Sequence, residues 1–351
     1  MPVRCAGRAR GASRRARPQR GTVLAVIGSL EAAVAAFDLM GQPPGRRRSR
    51  YLCRRCGTET DAFAGTSRAE RKLCRPCFGK GADRRPHELN ALTGREWAHA
   101  SKSVQGYPDI RSDKQRSHGA AFPVSLATQQ ISVYTKPGEV VLDPFVGVGT
   151  TLDACATLGR RGIGIDLNER YVDLARADLG GSPDQELIHG DALHLARYVK
   201  EGSIDFVLTS PPYGALLKNV KGAFAYKWKE HSKIASIRNP LPYSEDPRDL
   251  GNLSYPDYLE AVGRVMIECY RAMRDGAYAA WVVKDFRALK EKIPYVAFHM
   301  HVTERAEEAG YKLWDMQIYD QTKFRPLVCL GYPSRNFYLN IGHSYIMIYR
   351  K

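Results

Sequence analysis

Three short apolar runs in the middle of the chain end in aspartates, and helical patterns separate the runs. Asp143 and Asp166 close the first two runs, and Asp191 follows the third. Strands that alternate with helices predict a parallel α/β sheet, whose strands have their carboxyl ends at one edge. The three carboxylates are therefore expected to face one ligand. Asp166 is placed to accept hydrogen bonds from both hydroxyls of a ribose, and Asp191 from an adenine amine.

The α/β pattern covers residues 87–351, and its elements are short and regularly spaced. Strands are predicted at residues 139–143, 162–166, 186–188, 204–208, 278–283, 313–318 and 343–349. Helices are predicted at residues 150–158, 169–179, 255–273 and 296–309. The last strand, His343–Tyr349, alternates enough to predict an edge or hairpin strand.

A glycine loop, Asp143-Pro144-Phe145-Val146-Gly147-Val148-Gly149-Thr150-Thr151, joins the first strand to the first helix. Gly147 and Gly149 let the backbone approach a ligand closely, and the helix N-terminus presents unpaired N–H groups. A dinucleotide-binding loop would need a third glycine at position 152, where this chain has Leu152. A pyrophosphate site is therefore not expected here.

The fourth strand, Ile204–Leu208, runs into the sequence Thr209-Ser210-Pro211-Pro212-Tyr213. Two prolines stop a strand abruptly, so its last side chains and carbonyls are expected to face a cleft. Ser210 offers a hydroxyl, the Pro211 carbonyl is an acceptor outside any helix or sheet, and Tyr213 brings an aromatic face. This set suits a planar base that carries an exocyclic amine. Taken alone, the motif fits a proline-stiffened turn equally well.

The whole chain has a formal net charge of +16, and the positive charge is concentrated in its first third. Residues 1–118 contain 25 Lys or Arg and 10 Asp or Glu, whereas residues 119–351 contain 28 and 27. Such a field is typical of contact with nucleic acid. For the first twenty residues alone, a solvated tail without a partner is the alternative. Residues 1–50 form an Arg-rich tail, a short predicted helix and a linker. A modestly apolar stretch runs from Val23 to Met40, but Glu31 and Asp38 interrupt it, so a signal peptide or a membrane span is not expected.

Four of the eight cysteines have metal-ligand spacing. Cys53 and Cys56 form one Cys-x2-Cys pair, Cys74 and Cys77 form another, and 17 residues separate the pairs. This spacing predicts a structural four-thiolate zinc site in a module spanning residues 51–82, with disulfides or a redox pair as alternatives. A closed four-sulfur site leaves no position for water, so the site is not expected to catalyse. Reduced thiols imply a cytoplasmic protein.

These motifs resemble those of amino-directed DNA methyltransferases over roughly residues 90–351. The resemblance rests on His118–Pro123, the glycine loop, Gly164-Ile165-Asp166, Gly190-Asp191, the Thr209–Tyr213 run and His343-Ser344-Tyr345. It implies the α/β fold of class I methyltransferases, a Rossmann-like seven-stranded sheet with the last strand antiparallel, preceded here by a zinc-ribbon or treble-clef-like module. It also implies S-adenosylmethionine as cofactor. The implied cofactor-binding residues are Phe122, Pro123, Asp143, Pro144, Phe145, Gly147, Gly149, Thr150, Asp166, Asp191 and Ala192.

The resemblance implies methyl transfer to the exocyclic amine of a base flipped out of double-stranded DNA. Ser210, Pro211, Pro212 and Tyr213 are then the catalytic residues, and no cysteine nucleophile is needed. In this family, serine at the position of Ser210 is commoner among cytosine N4 enzymes, whereas aspartate or asparagine there is commoner among adenine N6 enzymes. Cytosine N4 is therefore the predicted target, and adenine N6 is the main alternative. An RNA base methyltransferase and a catalytically idle DNA-binding zinc protein also remain open.

The sequence departs from the commonest family pattern in lacking an insertion the size of a recognition domain. Target reading must then come from elsewhere in the chain. The zinc module and residues 218–238, where lysines alternate with aromatics, are the two candidates. A mobile surface loop is the alternative for residues 218–238. A cognate restriction endonuclease is a further partner that the resemblance allows, and no membrane partner is expected.

Overall fold

The structure is a computed structural model that describes most of the chain outside its N-terminus. It describes residues 48–79, 88–108, 112–113, 115, 121–212, 246–288, 292–323, 329–330 and 333–351. The Arg-rich tail, the predicted N-terminal helix, Tyr213 and residues 218–238 lie outside these ranges. The chain divides into two compact units, Met1–Pro86 and His87–Lys351. No helix in the described ranges is long and apolar enough to cross a membrane.

The described part of the first unit is a hairpin followed by two short helices. Strands β1 (Arg48–Leu52) and β2 (Glu59–Phe63) pair antiparallel, and helices α1 (Ser67–Glu70) and α2 (Arg75–Gly79) follow. The Tyr51 hydroxyl donates to the carbonyl oxygens of Arg68 and Leu73, at 3.1 and 2.8 Å, and so ties the hairpin to the helical segment. The buried centre of this unit consists of Cys53, Leu73, Cys74 and Cys77.

The second unit is built on one eight-stranded sheet. Its strands are β3 (Val104–Gly106), β4 (Val140–Asp143), β5 (Arg161–Asp166), β6 (Gln185–His189), β7 (Ile204–Thr209), β8 (Met273–Val283), β11 (Lys312–Asp320) and β12 (His343–Arg350). A separate antiparallel pair is formed by β9 (Phe286–Ala288) and β10 (Ile293–Val296). The helices are α3 (Gly94–Ala100), α4 (Val124–Tyr134), α5 (Thr150–Leu158), α6 (Glu169–Leu179), α7 (Tyr255–Ala272) and α8 (Phe298–Glu308).

The strand order of the sheet is β3-β11-β12-β8-β7-β4-β5-β6. Strand β12 is antiparallel to both of its neighbours, whereas β4, β5, β6, β7 and β8 are parallel. Seven of these strands form the class I methyltransferase sheet, so the predicted fold class is confirmed. The short strand β3 adds an eighth, parallel to β11 at the edge.

Of the two alternatives predicted for the last strand, the edge position was wrong, whereas the antiparallel pairing of a hairpin strand is present. The alternating pattern of His343–Tyr349 indicated an edge or hairpin strand, but β12 lies inside the sheet between β8 and β11. It does pair antiparallel with β11, as a hairpin strand would. Because helices cover both faces of the sheet, its central residues are buried in succession, so alternation in the sequence was no sign of a solvent-exposed position.

Successive residues of the central strands pack into two cores on opposite faces of the sheet. Leu142 and Val207 face one core, together with buried residues of α7 and α8. Val141 and Phe206 face the other core, together with buried residues of α4 and α5. This two-sided burial holds the central strands rigidly and leaves their carboxyl ends as a firm edge for a site.

Candidate active site and metal centre

A cavity of about 900 Å³, including its open mouth, lies at the carboxyl ends of β4 to β7. The carboxyl ends of parallel strands are the usual place for a ligand in an open α/β sheet. The structure brings most of the predicted cofactor-binding and catalytic residues together around it. These are Phe122, Asp143, Pro144, Phe145, Gly147, Thr150, Asp166, Asp191, Ala192, Ser210, Pro211 and Pro212.

Two of the predicted cofactor residues are described but do not line the cavity. Pro123 is the N-cap residue of α4, with φ −62° and ψ 144°. Gly149 is the N-cap of α5 and has a left-handed φ of 87°, and a Cβ there would lie 3.0 Å from the Ala175 Cβ. Both residues therefore shape the turns beside the cavity. Tyr213 lies outside the described residues.

Asp143 is buried at the centre of the site and is held by three donors. Its Oδ1 accepts from the Phe145 N–H at 3.1 Å and the Thr209 hydroxyl at 2.6 Å, and its Oδ2 accepts from the Thr151 hydroxyl at 2.5 Å. Burial raises the pKa of Asp143 to about 6, although the two threonine hydroxyls act in the opposite direction. The carboxylate therefore links the ends of β4 and β7 to the start of α5.

Asp166 holds the glycine loop in place. Its Oδ2 accepts from the Gly147 N–H and its Oδ1 from the Asn168 N–H, both at 2.8 Å. Burial raises the pKa of this carboxyl to about 6 as well. Each carboxylate oxygen has a second lone pair, so Asp166 can accept further hydrogen bonds from a ligand.

Asp191 and a carboxylate that sequence reasoning missed, Asp249, also line the cavity. Asp191 is buried, and its Oδ1 accepts from the Leu193 N–H at 2.9 Å. Asp249 is buried and accepts from the Gly251 N–H at 2.7 Å. Four aspartates and no lysine or arginine stand among the described lining residues. This charge disfavours a pyrophosphate and suits a ligand with cationic groups.

Ser210 and the two prolines complete the cavity at the end of β7. The Ser210 hydroxyl donates to the carbonyl oxygen of Val282 on the neighbouring strand, at 2.9 Å. Because its one proton is used in this bond, the hydroxyl oxygen offers only lone pairs to a group in the cavity. β7 ends at Thr209, so the Pro211 carbonyl stands outside the sheet as a second acceptor.

Several lining residues had no assigned role in the sequence analysis. Besides Asp249, they include Asn168, Tyr171 and Leu250. Asn168 follows the strand-end Asp166 by two residues and could have been found from that position. Asp249 follows a long stretch without periodic pattern, and no sequence signal points to it.

The buried cysteines of this unit take no part in the cavity. Cys155 and Cys269 are fully buried, and burial raises the pKa of both thiols well above the usual range. A buried protonated thiol is a poor nucleophile. Their positions agree with a reaction that needs no covalent enzyme intermediate.

The four cysteines with metal-ligand spacing lie together in the first unit. The Sγ atoms of Cys53, Cys56, Cys74 and Cys77 all lie within 4.8 Å of one another. Zn–S bonds of about 2.3 Å in a tetrahedron place sulfurs about 3.8 Å apart, so these thiols fit zinc with little movement. A hydrogen bond from the Cys74 backbone lowers the pKa of Cys53 to about 6, whereas the Cys74 thiol raises that of Cys77 to about 12.

Parts of this chain match known methyltransferases in sequence. Residues 71–177 match a family model for N6 and N4 methyltransferases that is described as DNA methylase. The type II methyltransferase M.BglII of Bacillus subtilis is 34% identical over 105 residues, 29% of each chain. The type II methyltransferase M.SmaI of Serratia marcescens is 47% identical over 60 residues, 17% of this chain and 20% of that enzyme.

An RNA enzyme is among the relatives too. The tRNA (guanine(6)-N2)-methyltransferase of Thermus thermophilus is 35% identical over 123 residues, 34% of this chain and 36% of that enzyme. The solved structure of TrmN from Thermus thermophilus aligns with a TM-score of 0.41 at 18% identity, covering 68% of this chain and 52% of that one.

The second unit has the strand order of the class I methyltransferase fold, with a cavity at the carboxyl edge of its sheet. The sequence matches confirm the resemblance to the amino-directed DNA methyltransferases. The aligned segments span about a third or less of the length of these curated relatives.

Proposed function

We propose that the protein transfers a methyl group from S-adenosylmethionine to the exocyclic amine of a base flipped out of DNA, and that the base is cytosine, methylated at N4. The observation that carries this proposal is the orientation of Ser210. The Ser210 hydroxyl donates its hydrogen to the Val282 carbonyl, so Ser210 Oγ is available only as an acceptor. This residue lines the same cavity as the strand-end carboxylates. An amine hydrogen is the donor that fits such an acceptor.

The cavity fits S-adenosylmethionine by charge and by the kinds of acceptor it contains. The four lining aspartates match a ligand with a sulfonium and an ammonium group. In this proposal Asp166 accepts from the ribose hydroxyls and Asp191 from the adenine amine. Asp143 lies beside the methionine part, and Phe122 and Phe145 line the pocket. When bound, this cofactor supplies an electrophilic methyl group.

The catalytic residues act by orienting the amine and stabilising its charge. The lone pair of an exocyclic amine is delocalised into the ring, so the nitrogen is a poor nucleophile. Two hydrogen bonds, to Ser210 Oγ and the Pro211 carbonyl, favour a pyramidal nitrogen whose lone pair can attack the methyl carbon. The carbon–sulfur bond would break as the nitrogen–carbon bond forms, and the methylated nitrogen would then lose one proton to solvent. The same acceptors stabilise the positive charge that develops on nitrogen in the transition state. Pro212 stiffens the loop, and Tyr213 is proposed to stack on the flipped base.

Serine at position 210 supports cytosine N4 over adenine N6 through the family resemblance alone. The tRNA-methylating relative supports a second candidate, a base in RNA. One experiment separates these candidates. The protein is incubated with S-adenosylmethionine and either mixed-sequence duplex DNA or total RNA. The nucleic acid is then digested to nucleosides, and the modified base is identified by mass spectrometry. N4-methylcytosine in DNA is the expected product. N6-methyladenine would overturn the base assignment, and modification of RNA alone would overturn the DNA assignment.

The four-cysteine cluster is proposed to hold a structural zinc ion through Cys53, Cys56, Cys74 and Cys77. Because four thiolates close the coordination sphere, its role is to fold the first unit. The basic character of this unit supports a contribution to DNA affinity. Deletion of residues 1–82 is expected to weaken DNA binding strongly and to leave cofactor binding intact. Unchanged DNA affinity in the deleted chain would refute this role.

A further inference from the structure

Exposed apolar side chains cluster at the carboxyl edge of the sheet, on segments that follow β8 or precede β12. Strand β8 pairs with β7, which runs into the catalytic loop, Thr209–Pro212. The apolar side chains lie on the β9–β10 hairpin and on residues 333–340, which together we call the hairpin surface. Phe337 and Leu339 are 64% and 76% exposed, and Ile293 and Tyr295 are 44% and 42% exposed. Large apolar side chains grouped in this way are typical of an interaction site.

The described charged side chains of the hairpin surface that meet solvent are cationic. Lys292 and Arg335 are exposed, and Arg287 is partly exposed. Within the described residues of 284–296 and 333–343 the one carboxylate is Asp285, which is only 1% exposed. Exposed cations interleaved with aromatic and aliphatic side chains are complementary to nucleic acid, whose phosphates and bases need both kinds of contact.

Arg287 holds the two parts of the hairpin surface together. Its guanidinium donates to the carbonyl oxygens of Pro294, at 2.7 Å, and Leu339, at 2.8 Å. Its Cζ also lies over the rings of Tyr295 and Tyr338, 5.3 and 5.1 Å from their centroids. The surface therefore exists as a preformed platform, which lowers the entropy cost of binding a partner.

Hydrogen bonds to the buried Asp285 fix this platform to the sheet. The Tyr295 hydroxyl donates to Asp285 Oδ2 at 2.6 Å, and the same carboxylate contacts His299 Nδ1 at 2.8 Å. Asp285 stands two residues after the end of β8, and the Val282 carbonyl of β8 binds the Ser210 hydroxyl. Residues 333–340 lead directly into β12, whose Tyr345 pairs with Val283. The hairpin surface is thus built on the strand ends that position the catalytic loop.

We propose that duplex DNA docks on the hairpin surface. Lys292 and Arg335 contact phosphates, and Phe337 and Leu339 pack against bases beside the position that the target base leaves. Apolar side chains inserted at a distorted base step offset part of the cost of unstacking. This inference rests on the proposed function and assigns DNA docking to a surface outside both regions that the sequence indicated.

The test measures the affinity of the full chain for a fluorescein-labelled mixed-sequence duplex by anisotropy, at several salt concentrations. The double variant Lys292→Gln/Arg335→Gln should have a smaller slope of the logarithm of the DNA association constant against the logarithm of salt concentration. The slope should be smaller in magnitude by about 0.9 for each phosphate that is no longer neutralised. Phe337→Ala/Leu339→Ala should raise Kd roughly tenfold at every salt concentration, because these side chains no longer pack against bases. The control Lys312→Gln/Leu313→Ala changes exposed residues at the opposite end of β11 and should behave as wild type.

Calorimetric titration with S-adenosylhomocysteine serves as the check that each variant is folded. Wild-type Kd and salt slope in both surface variants would overturn the inference, as would an equal loss of affinity in the control. Methyl transfer to DNA is scored separately by nucleoside mass spectrometry. If DNA is methylated while the surface variants bind normally, the inference fails and the proposed function stands. If DNA binding depends on this surface and no base is methylated, the surface is supported and the proposed function fails.

Discussion

Replacing Ser210 with alanine separates the proposed catalytic role of its hydroxyl from its structural role. In the folded protein the hydroxyl donates to the Val282 carbonyl at 2.9 Å. A neutral hydrogen bond of this kind contributes about 0.5–1.5 kcal/mol to the free energy of unfolding. Because Val282 is buried and its carbonyl loses this donor, the loss of stability can reach about 1–3 kcal/mol, and the variant is still expected to fold.

The expected loss of activity is larger than the loss of stability. Removing one preorganised hydrogen-bonding group aimed at transition-state charge typically lowers kcat about 10²–10³-fold, or roughly 3–4 kcal/mol. Ser210→Ala should show a decrease of this size. Its affinity for S-adenosylhomocysteine should stay unchanged, since the proposed cofactor contacts are made by Asp143, Asp166 and Asp191.

Single-turnover transfer of a tritiated methyl group to DNA measures the effect, with thermal unfolding and calorimetric cofactor binding alongside. Ser203→Ala is the matched control, because the Ser203 hydroxyl also donates to a backbone carbonyl, that of Lys200 at 2.6 Å, just before the same strand. Wild-type turnover in Ser210→Ala would refute the acceptor mechanism. An equal loss of turnover in Ser203→Ala would show that the loss is structural.

Two further substitutions test the direction of the hydrogen bond at position 210. In Ser210→Asn, the amide group can donate to Val282 and still accept an amine hydrogen at Oδ1. In Ser210→Asp, a carboxylate would face the Val282 carbonyl oxygen without a proton to donate. The same transfer assay should therefore find more activity in Ser210→Asn than in Ser210→Asp. The reverse order would contradict the proposed orientation of Ser210.

Three other predictions follow from the cavity and the cysteine cluster. Burial raises the pKa of Asp166 to about 6, so affinity for S-adenosylhomocysteine should fall about tenfold per pH unit below that value as the acceptor is protonated, which calorimetry between pH 5 and 8 checks. In Gly164→Ala, a Cβ 2.6 Å from Val146 Cγ2 should displace the glycine loop, lowering stability by about 1–3 kcal/mol in denaturant titration and weakening cofactor binding. Cys74→Ser should lose zinc in a colorimetric release assay, whereas Cys329→Ser, at an exposed thiol, should keep one zinc per chain. Cofactor affinity that does not change with pH would contradict the first prediction. Wild-type stability and cofactor binding in Gly164→Ala would contradict the second, and a wild-type chain without zinc would contradict the third.

Local sequence patterns predicted most elements of the second unit. Helices α5 and α6 begin and end at the predicted residues, because a capping position and a glycine enclose each apolar repeat. Strand β8 was predicted to begin at Tyr278, but it begins at Met273, directly after α7. An exposed, polar start such as Arg274-Asp275 does not show the apolar run by which buried strands are recognised.

Contacts between distant residues were much harder to predict. The motifs around Thr151 and Thr209 were recognised, but not that their hydroxyls converge on Asp143, 8 and 66 residues away. Likewise, no pattern places Asp249 in the cavity or Arg287 against Leu339, 52 residues apart. Such contacts depend on the order of strands in the sheet, which short-range periodicity does not contain.

The sequence by itself determined the fold class, the carboxylates at the strand ends and the metal-ligand spacing of the cysteines. These features are written in short segments, where periodicity, turn residues and ligand spacing act locally. Only the tertiary structure decided that β12 lies inside the sheet, that the Ser210 proton is bound by Val282, and that Phe337 stands on the same surface as Tyr295. Each of these depends on packing between segments far apart in the chain, because burial and hydrogen-bond direction are set by neighbours in space.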